Sequence, residues 1–520
     1  MPWEDQGVEM ESADSSEELS YVMNSPILSN VEENSGIFSN SSNFAIDNSD
    51  HAHSSLINYS VYNCYFYGQI ANVIKASMCW SMFGVIVTFF TESNHGISLV
   101  RLVFNLSIIL SSPFASILAG RTNIKTILSI TTVIRTIIWS IMVPLFWYYL
   151  DYKCGYKRCF FFNFLCFMFI DGLQVSFSNI VDIDCGGFDS LSLQYDVPLS
   201  YTTRYRLNTV HQIVFDLSFF VVSLPVAYSI YRYSLAYPQN ETLAFALGMP
   251  IIFLLLGLIS LSFYLFGLPN SPCQEYRNEI TIIRSYSFKL VLLQRLRDIF
   301  EGFCITIQNH TISSRLLFLT IETAFDDSLI SLIIPSIAIH NGWFQYSNLI
   351  KPNLIAVFLI SLGKLGGVIG MYFVQRRGIN VNSISRSYLK LSQFTLLSML
   401  SILLLPASVK LIDWLGLKGW VCVYIFGLVF FLFFLFNSLP KVWLSTLLQN
   451  AVSDYQVRHK IYYFVSLFIT LIDALVIIGL NYSIPLPSTR GYFLKMLYYA
   501  AGFYSVYGIL QIFIGPFMLY

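Results

Sequence analysis

The sequence predicts an all-α membrane protein, and three observations predict it. The 520 residues are 55% hydrophobic and only 12% charged, with mean hydropathy +0.61, whereas a soluble globular chain carries about 25% charged residues. From about Tyr67 to Tyr520 the chain reads as roughly twelve apolar stretches, each close to the ~20 residues a helix needs to cross a bilayer. Ionisable residues are nearly absent from the middles of those stretches, and the few that remain recur on particular spans.

The spans, numbered in chain order, are expected at 68–90, 98–119, 127–150, 160–181, 208–232, 243–268, 316–340, 353–375, 389–410, 419–441, 461–482 and 493–518. A polar stretch over 270–315 separates the first six from the last six. Residues 1–66 contain no Lys or Arg and are rich in Ser, Asn, Glu and Asp. Such a segment buries too little apolar surface to fold alone, so it is expected to be a disordered acidic tail. The first span then serves as an uncleaved insertion signal. The remaining divisions are 67–269, 270–315 and 316–520. Within the central stretch, over 280–309, Ile283, Phe288, Leu292, Leu296, Ile299 and Phe303 recur at helical spacing among Arg284, Lys289, Arg295 and Arg297. This pattern predicts an amphipathic helix lying on the membrane surface.

With the N-terminus inside, the basic residues of the loops lean to the inner side by roughly 15 against 10, which is the expected bias. Both termini are then cytoplasmic, in a multi-pass protein of the plasma membrane or an endomembrane. The sequons at Asn240 and Asn481 fall in loops that this topology puts outside, so both are candidate glycosylation sites.

Several functional classes are excluded. Basic and acidic residues balance at 30 each, which gives no footprint for nucleic acid. Walker A, HExxH and paired CxxC patterns are missing, so neither ATP-driven pumping nor a structural zinc site is supported. No cofactor motif and no nucleophile–base pair appear, and the chain does not read as an enzyme. The partners to expect are the lipid bilayer and a small solute.

A charge in hydrocarbon costs about 3 kcal/mol or more, so each deep charge needs a reason. Those charges are Lys75, Arg135, Asp171, Asp216, Glu322, Asp326, Asp327, Lys364 and Asp473. Span 7 holds the densest group, Glu322-Thr-Ala-Phe-Asp326-Asp327. Glu322 and Asp326 stand i, i+4 and share a helical face. Two carboxylates that close in a low dielectric do not both stay ionised, which is the property a proton-coupling site needs. Lys364 lies among Ser361, Gly363, Gly366, Gly367 and Gly370, and its expected partner is Asp326 or Asp473, with an anionic solute as the alternative. Asp171 and Asp216 are expected to share Arg135 as counter-ion. Lys75, about two turns into span 1, is expected to snorkel to the surface. Pro113, Pro144, Pro225, Pro250, Pro335 and Pro440 mark candidate hinges.

This 6+6 arrangement resembles the major facilitator superfamily, over about 67–520. The signature loop between helices 2 and 3 of that family reads approximately G-x-L-A-D-R-x-G-R-R. Here the stretch is Ser116-Ile117-Leu118-Ala119-Gly120-Arg121-Thr122-Asn123-Ile124-Lys125, in which Leu118, Ala119, Arg121 and Lys125 match. In the second half Gly366, Gly367 and Gly370 precede Arg376-Arg377-Gly378 at a similar place. The resemblance implies two six-helix bundles around a central cavity, with helices 3, 6, 9 and 12 mostly outside. It also implies gating roles for Arg121, Lys125, Arg376 and Arg377, without the family's Asp at position 120. The deep charges avoid spans 6, 9 and 12, as such a cavity requires. The implied function is secondary active transport of a small polar solute by alternating access, with proton symport through Glu322, Asp326 and Asp327. An uncoupled facilitator, a metal-cation exporter of the same superfamily and a non-transporting receptor or scaffold stand as alternatives. The excess of deep acids over bases leans towards a cationic or zwitterionic solute.

Overall fold

The computed structural model describes residues 61–78, 87, 94–119, 122–151, 157–179, 201–237, 241–270, 288–339, 350–377, 384–451, 455–482 and 490–513. All of the regular structure among them is helical. Helix α1 covers 61–78. It is followed by α2 (Asn94–Ala119), α3 (Ile124–Asp151) and α4 (Lys157–Asn179). Helix α5 has two α-helical parts, Tyr201–Ser218 and Leu224–Ala236, and α6 is Glu241–Gly267. Next come α7 (Phe288–Gln308) and α8, again in two α-helical parts, His310–Ser328 and Ile334–Ile339. The chain continues through α9 (Ile350–Arg377), α10 (Ile384–Trp414), α11 (Trp420–Ala451), α12 (Tyr455–Tyr482) and α13 (Arg490–Phe513). Spans 1–6 correspond to α1–α6, and spans 7–12 to α8–α13.

Among the described residues, eight helices are long and apolar enough to cross a membrane, namely those numbered 2–5, 9–11 and 13. The apolar parts of α6 and α12, Ile251–Gly267 and Phe464–Leu480, are shorter. Most helices start a few residues before the expected span. The first does so because Val61 and Tyr65 are buried against Ile124, Ile127, Tyr264 and Leu268, which draws residues 61–66 out of the expected tail and into α1. Leu110, Ile130, Leu258 and Val421 are exposed on the outer faces, as lipid-facing residues are.

Helices α5 and α8 are each interrupted by a π-turn, Phe219–Ser223 and Leu329–Ile333. The cause is legible in the chain. Pro225 and Pro335 each lie two residues past the π-turn and lack the N–H that an α-helix needs. Each ring also crowds the preceding turn, and the wider π-turn relieves that crowding. The carbonyl of Phe219 takes the hydroxyl of Ser361 from α9 at 2.8 Å.

Helices α9 and α11 pack closely, and glycine permits it. A Cβ on Gly366 or Gly370 would run into the carbonyl of Phe431 or Leu435 on α11. Small residues allow this kind of approach where lipid offers no hydrophobic drive between helices. Nearby, Phe325 of α8 and Phe433 of α11 pack against Tyr504 of α13, with ring centroids 4.5 and 5.2 Å from it. The first and last groups of six spans meet along two seams, α2 with α12 and α5 with α9.

Helix α7 covers the later part of the stretch expected to be an amphipathic helix, and residues 280–287 of that stretch lie outside the described residues. Gly302 seats against the backbone of Lys460 and Ile461 at the start of α12, and Asp298 and Thr306 are buried. Leu293, Leu296, Phe300 and Ile307 stay exposed along another face.

Candidate functional site

The consecutive acids of α8 part company. Neighbouring residues on a helix point about 100° apart, so Asp326 and Asp327 enter different clusters on different seams.

Asp326 belongs to the α5–α9 seam. Lys364 of α9, 1% exposed, lies 3.2 Å from Asp216 of α5 and 3.6 Å from Asp326. Its ammonium also sits 4.3 Å from the centroid of the Phe434 ring, a cation–π contact. Lys441 of α11 pairs with Asp326 at 3.2 Å, and Asn437 donates to the same carboxylate at 3.3 Å. Gln212, one turn before Asp216, donates to it at 3.0 Å. Glu322 is fully buried one turn before Asp326 and accepts from the Tyr504 hydroxyl at 3.1 Å. That hydroxyl is also 2.8 Å from Asn437 Oδ1, which links Glu322 to the lysine pair. Gly367 leaves the space that the Asp216 carboxylate fills.

Asp327 belongs to the α2–α12 seam. Arg101 of α2 lies 3.0 Å from Asp327 and 3.4 Å from Asp473 of α12, and Asn105 donates to Asp473 at 2.8 Å.

A third group stays within the first six spans. Arg135 of α3 is 3.6 Å from Asp171 of α4, and the Trp139 indole donates to the same acid at 3.2 Å. Lys75 is 1% exposed and donates to Thr136 at 3.0 Å. A cavity of about 70 Å³ lies beside Arg135, lined by Asn72, Val73, Leu128, Thr132 and Gln174 among others.

Several expectations change accordingly. Lys364 has Asp326 as expected, but its second partner is Asp216, because Asp473 lies on the other seam with Arg101. Arg135 serves Asp171 and not Asp216, whose helix turns it towards α9. Lys75 does not snorkel, since Thr136 satisfies it inside. Sequence reasoning missed Arg101 and Lys441, both of which it left at the margins of spans. The available signal was span length, because α2 begins at Asn94 and α11 runs on to Ala451. That extra length carries both residues into the bundle.

Lys125 donates to the carbonyl of Leu268 at 2.9 Å and to Asn270 at 2.7 Å, which caps the end of α6. Its contacts among the described residues are therefore with the α6 end, not between halves. Arg376 and Arg377 close α9, but their side chains lie outside the described residues, as does Arg121 entirely. Asn240 is outside the described residues as well. Asn481 falls in the last turn of α12, with its side chain not described. Among the described residues no three of His, Cys, Asp and Glu gather as a metal site.

The overall fold matches solved membrane proteins. The proton:xylose symporter XylE, bound to 6-bromo-6-deoxy-D-glucose, superposes with TM-score 0.53 at 11% identity, over 90% of this chain and 96% of that one. The human organic anion transporter MFSD10 (TETRAN) gives 0.52 at 12% identity, over 89% and 99%. The nucleoside transporter NupG gives 0.51 at 12%, over 89% and 99%. The chain has the major facilitator fold. The two charged seams lie on α2, α5, α8, α9, α11 and α12, with Tyr504 of α13 reaching in behind them. No protein-family model and no curated protein sequence matches the chain.

Proposed function

We propose that this chain is a secondary active transporter. It would carry a small polar solute by alternating access between two six-helix halves, with both termini on the cytoplasmic side. The observation that carries the reading is the pair of charge clusters that join α2 to α8 and α12, and α5 to α8 and α9. A buried ion pair contributes little net stability against a well-packed apolar replacement. Charges kept at both seams are therefore better explained by a cycle that makes and breaks them than by stability alone. The solved structures of the same fold are named as transporters of a sugar, nucleosides and organic anions. Symport with protons fits the charge count, since Asp216, Glu322 and Asp326 face two lysines. One proton on the three acids makes that cluster neutral.

The test is solute uptake into proteoliposomes over a broad panel, with and without an imposed pH gradient, comparing wild type with Asp326→Asn. Uptake that follows the gradient, and loses its pH dependence in the variant, supports coupling at this cluster. Gradient-independent uptake that survives the variant makes the protein a facilitator. No uptake from folded protein overturns the transport reading in favour of a receptor or scaffold.

A further inference from the structure

Asp327 differs from every other deep acid among the described residues. Its side chain is 42% exposed, against 0% for Asp216, 2% for Asp171, 4% for Asp326 and 7% for Asp473. It stands in the middle of α8, between the buried Phe325, Asp326 and Ser328, Leu329. A carboxylate open to hydrocarbon at that depth would cost about 3 kcal/mol or more. The exposed part of the Asp327 carboxylate therefore calls for a polar partner other than lipid.

The charges around Asp327 do not balance. Among the described residues, Arg101 is the single cation within salt-bridge distance of Asp327 and Asp473. Asp473 turns its Oδ2 to Arg101 and Asn105, while its Oδ1 is buried without a hydrogen-bond partner. A buried carboxylate oxygen left bare is expensive. One negative charge and one unsatisfied acceptor are thus left over in this pair of acids.

We infer that Asp327 and Asp473 form the binding subsite for a solute bearing a protonated amine. An alkylammonium supplies the missing positive charge and the missing N–H donors together. An anion would meet two acids. A neutral polyol would leave the charge uncompensated. A divalent cation such as calcium needs six or more oxygen ligands, and these residues do not provide them. The inference rests on the transport reading for what happens to the solute after it binds, but binding itself does not depend on it.

The experiment is calorimetric titration of the purified full chain, reconstituted in nanodiscs, with propylammonium, propionate and glycerol. Propylammonium is expected to bind, and propionate and glycerol are not. Asp327→Asn, at an exposed position that leaves Arg101 its Asp473 partner, is expected to weaken propylammonium at least tenfold. Asp327→Glu is expected to keep it within about threefold. If Asp327→Asn fails to fold, Asp473→Asn replaces it, with the same loss of propylammonium expected. Absence of propylammonium binding to folded wild type, equal binding to Asp327→Asn, or a preference for propionate overturns the inference. Ammonium binding without flux would overturn the transport reading and leave the subsite standing. Flux of a neutral solute with no ammonium binding would do the reverse.

Discussion

Lys364 is the residue on which the most depends. It is buried between Asp216 and Asp326, and only Asp326 has a second lysine. Replacing Lys364 by Met leaves Asp216 charged and buried with Gln212 alone, which is expected to cost about 3–5 kcal/mol. Adding Asp216→Asn should recover most of the loss, because Asp326 keeps Lys441. Thermal unfolding in detergent checks both steps. A double variant no more stable than Lys364→Met would show that the lysine acts through something other than this pair. The deep acids were legible in the chain because charge stands out against an apolar background. Their partners were not. Pairing depends on how each helix is rotated about its axis, and hydropathy does not encode that rotation. Arg101 and Lys441 escaped for a related reason: a basic residue near the edge of a span looks like one that snorkels.

At the scale of elements, hydropathy and helical spacing pointed to an all-helical chain, but neither showed the π-turns. A signal was nevertheless present. Asp216-Leu217-Ser218 is followed by Pro225, and Asp326-Asp327-Ser328 by Pro335, at the same separation. Each π-turn begins on the residue after the serine. Helix α7 is held by a different device. Glu301 accepts from Arg297 at 2.8 Å and from Lys460 of α12. The hydrogen bond from Lys460, helped by Arg297, holds the Glu301 carboxyl below its ordinary value of 4.5. A carboxyl lowered in the folded state contributes stability that is complete above its unfolded pKa and is lost as the pH falls through the folded one. The latch is therefore expected to be intact at pH 7 and to loosen below about pH 4.3. Because both partners are partly exposed, it is worth about 1 kcal/mol at most. Hydrogen-exchange protection across Phe288–Gln308, corrected for the intrinsic pH dependence of exchange, should fall over that acid range in wild type. In Glu301→Gln it should already be lower at neutral pH, and equal protection in the two proteins would dismiss the latch.

Across the whole molecule, the two seams make each half incomplete by itself. The polar stretch at 270–315 divides the apolar spans of the sequence, but nothing in the sequence said that Asp216 would be matched by a lysine from beyond it. The order of synthesis gives that pairing a cost. Asp216 is made about 150 residues ahead of Lys364, an interval of roughly 7–30 s at ordinary translation speeds. For that time Asp216 is without its lysine, while Arg101 waits about 226 residues for Asp327 and about 372 for Asp473. The first half expressed alone is accordingly expected to be degraded faster than the whole chain, and co-expression of the two halves should rescue it. Pulse–chase decay of residues 1–287, with and without 288–520, measures this; equal lifetimes would mean that the seams are irrelevant to assembly. A pairing that spans the molecule thus becomes a checkpoint in biogenesis, where quality control can sense that the second half has not arrived.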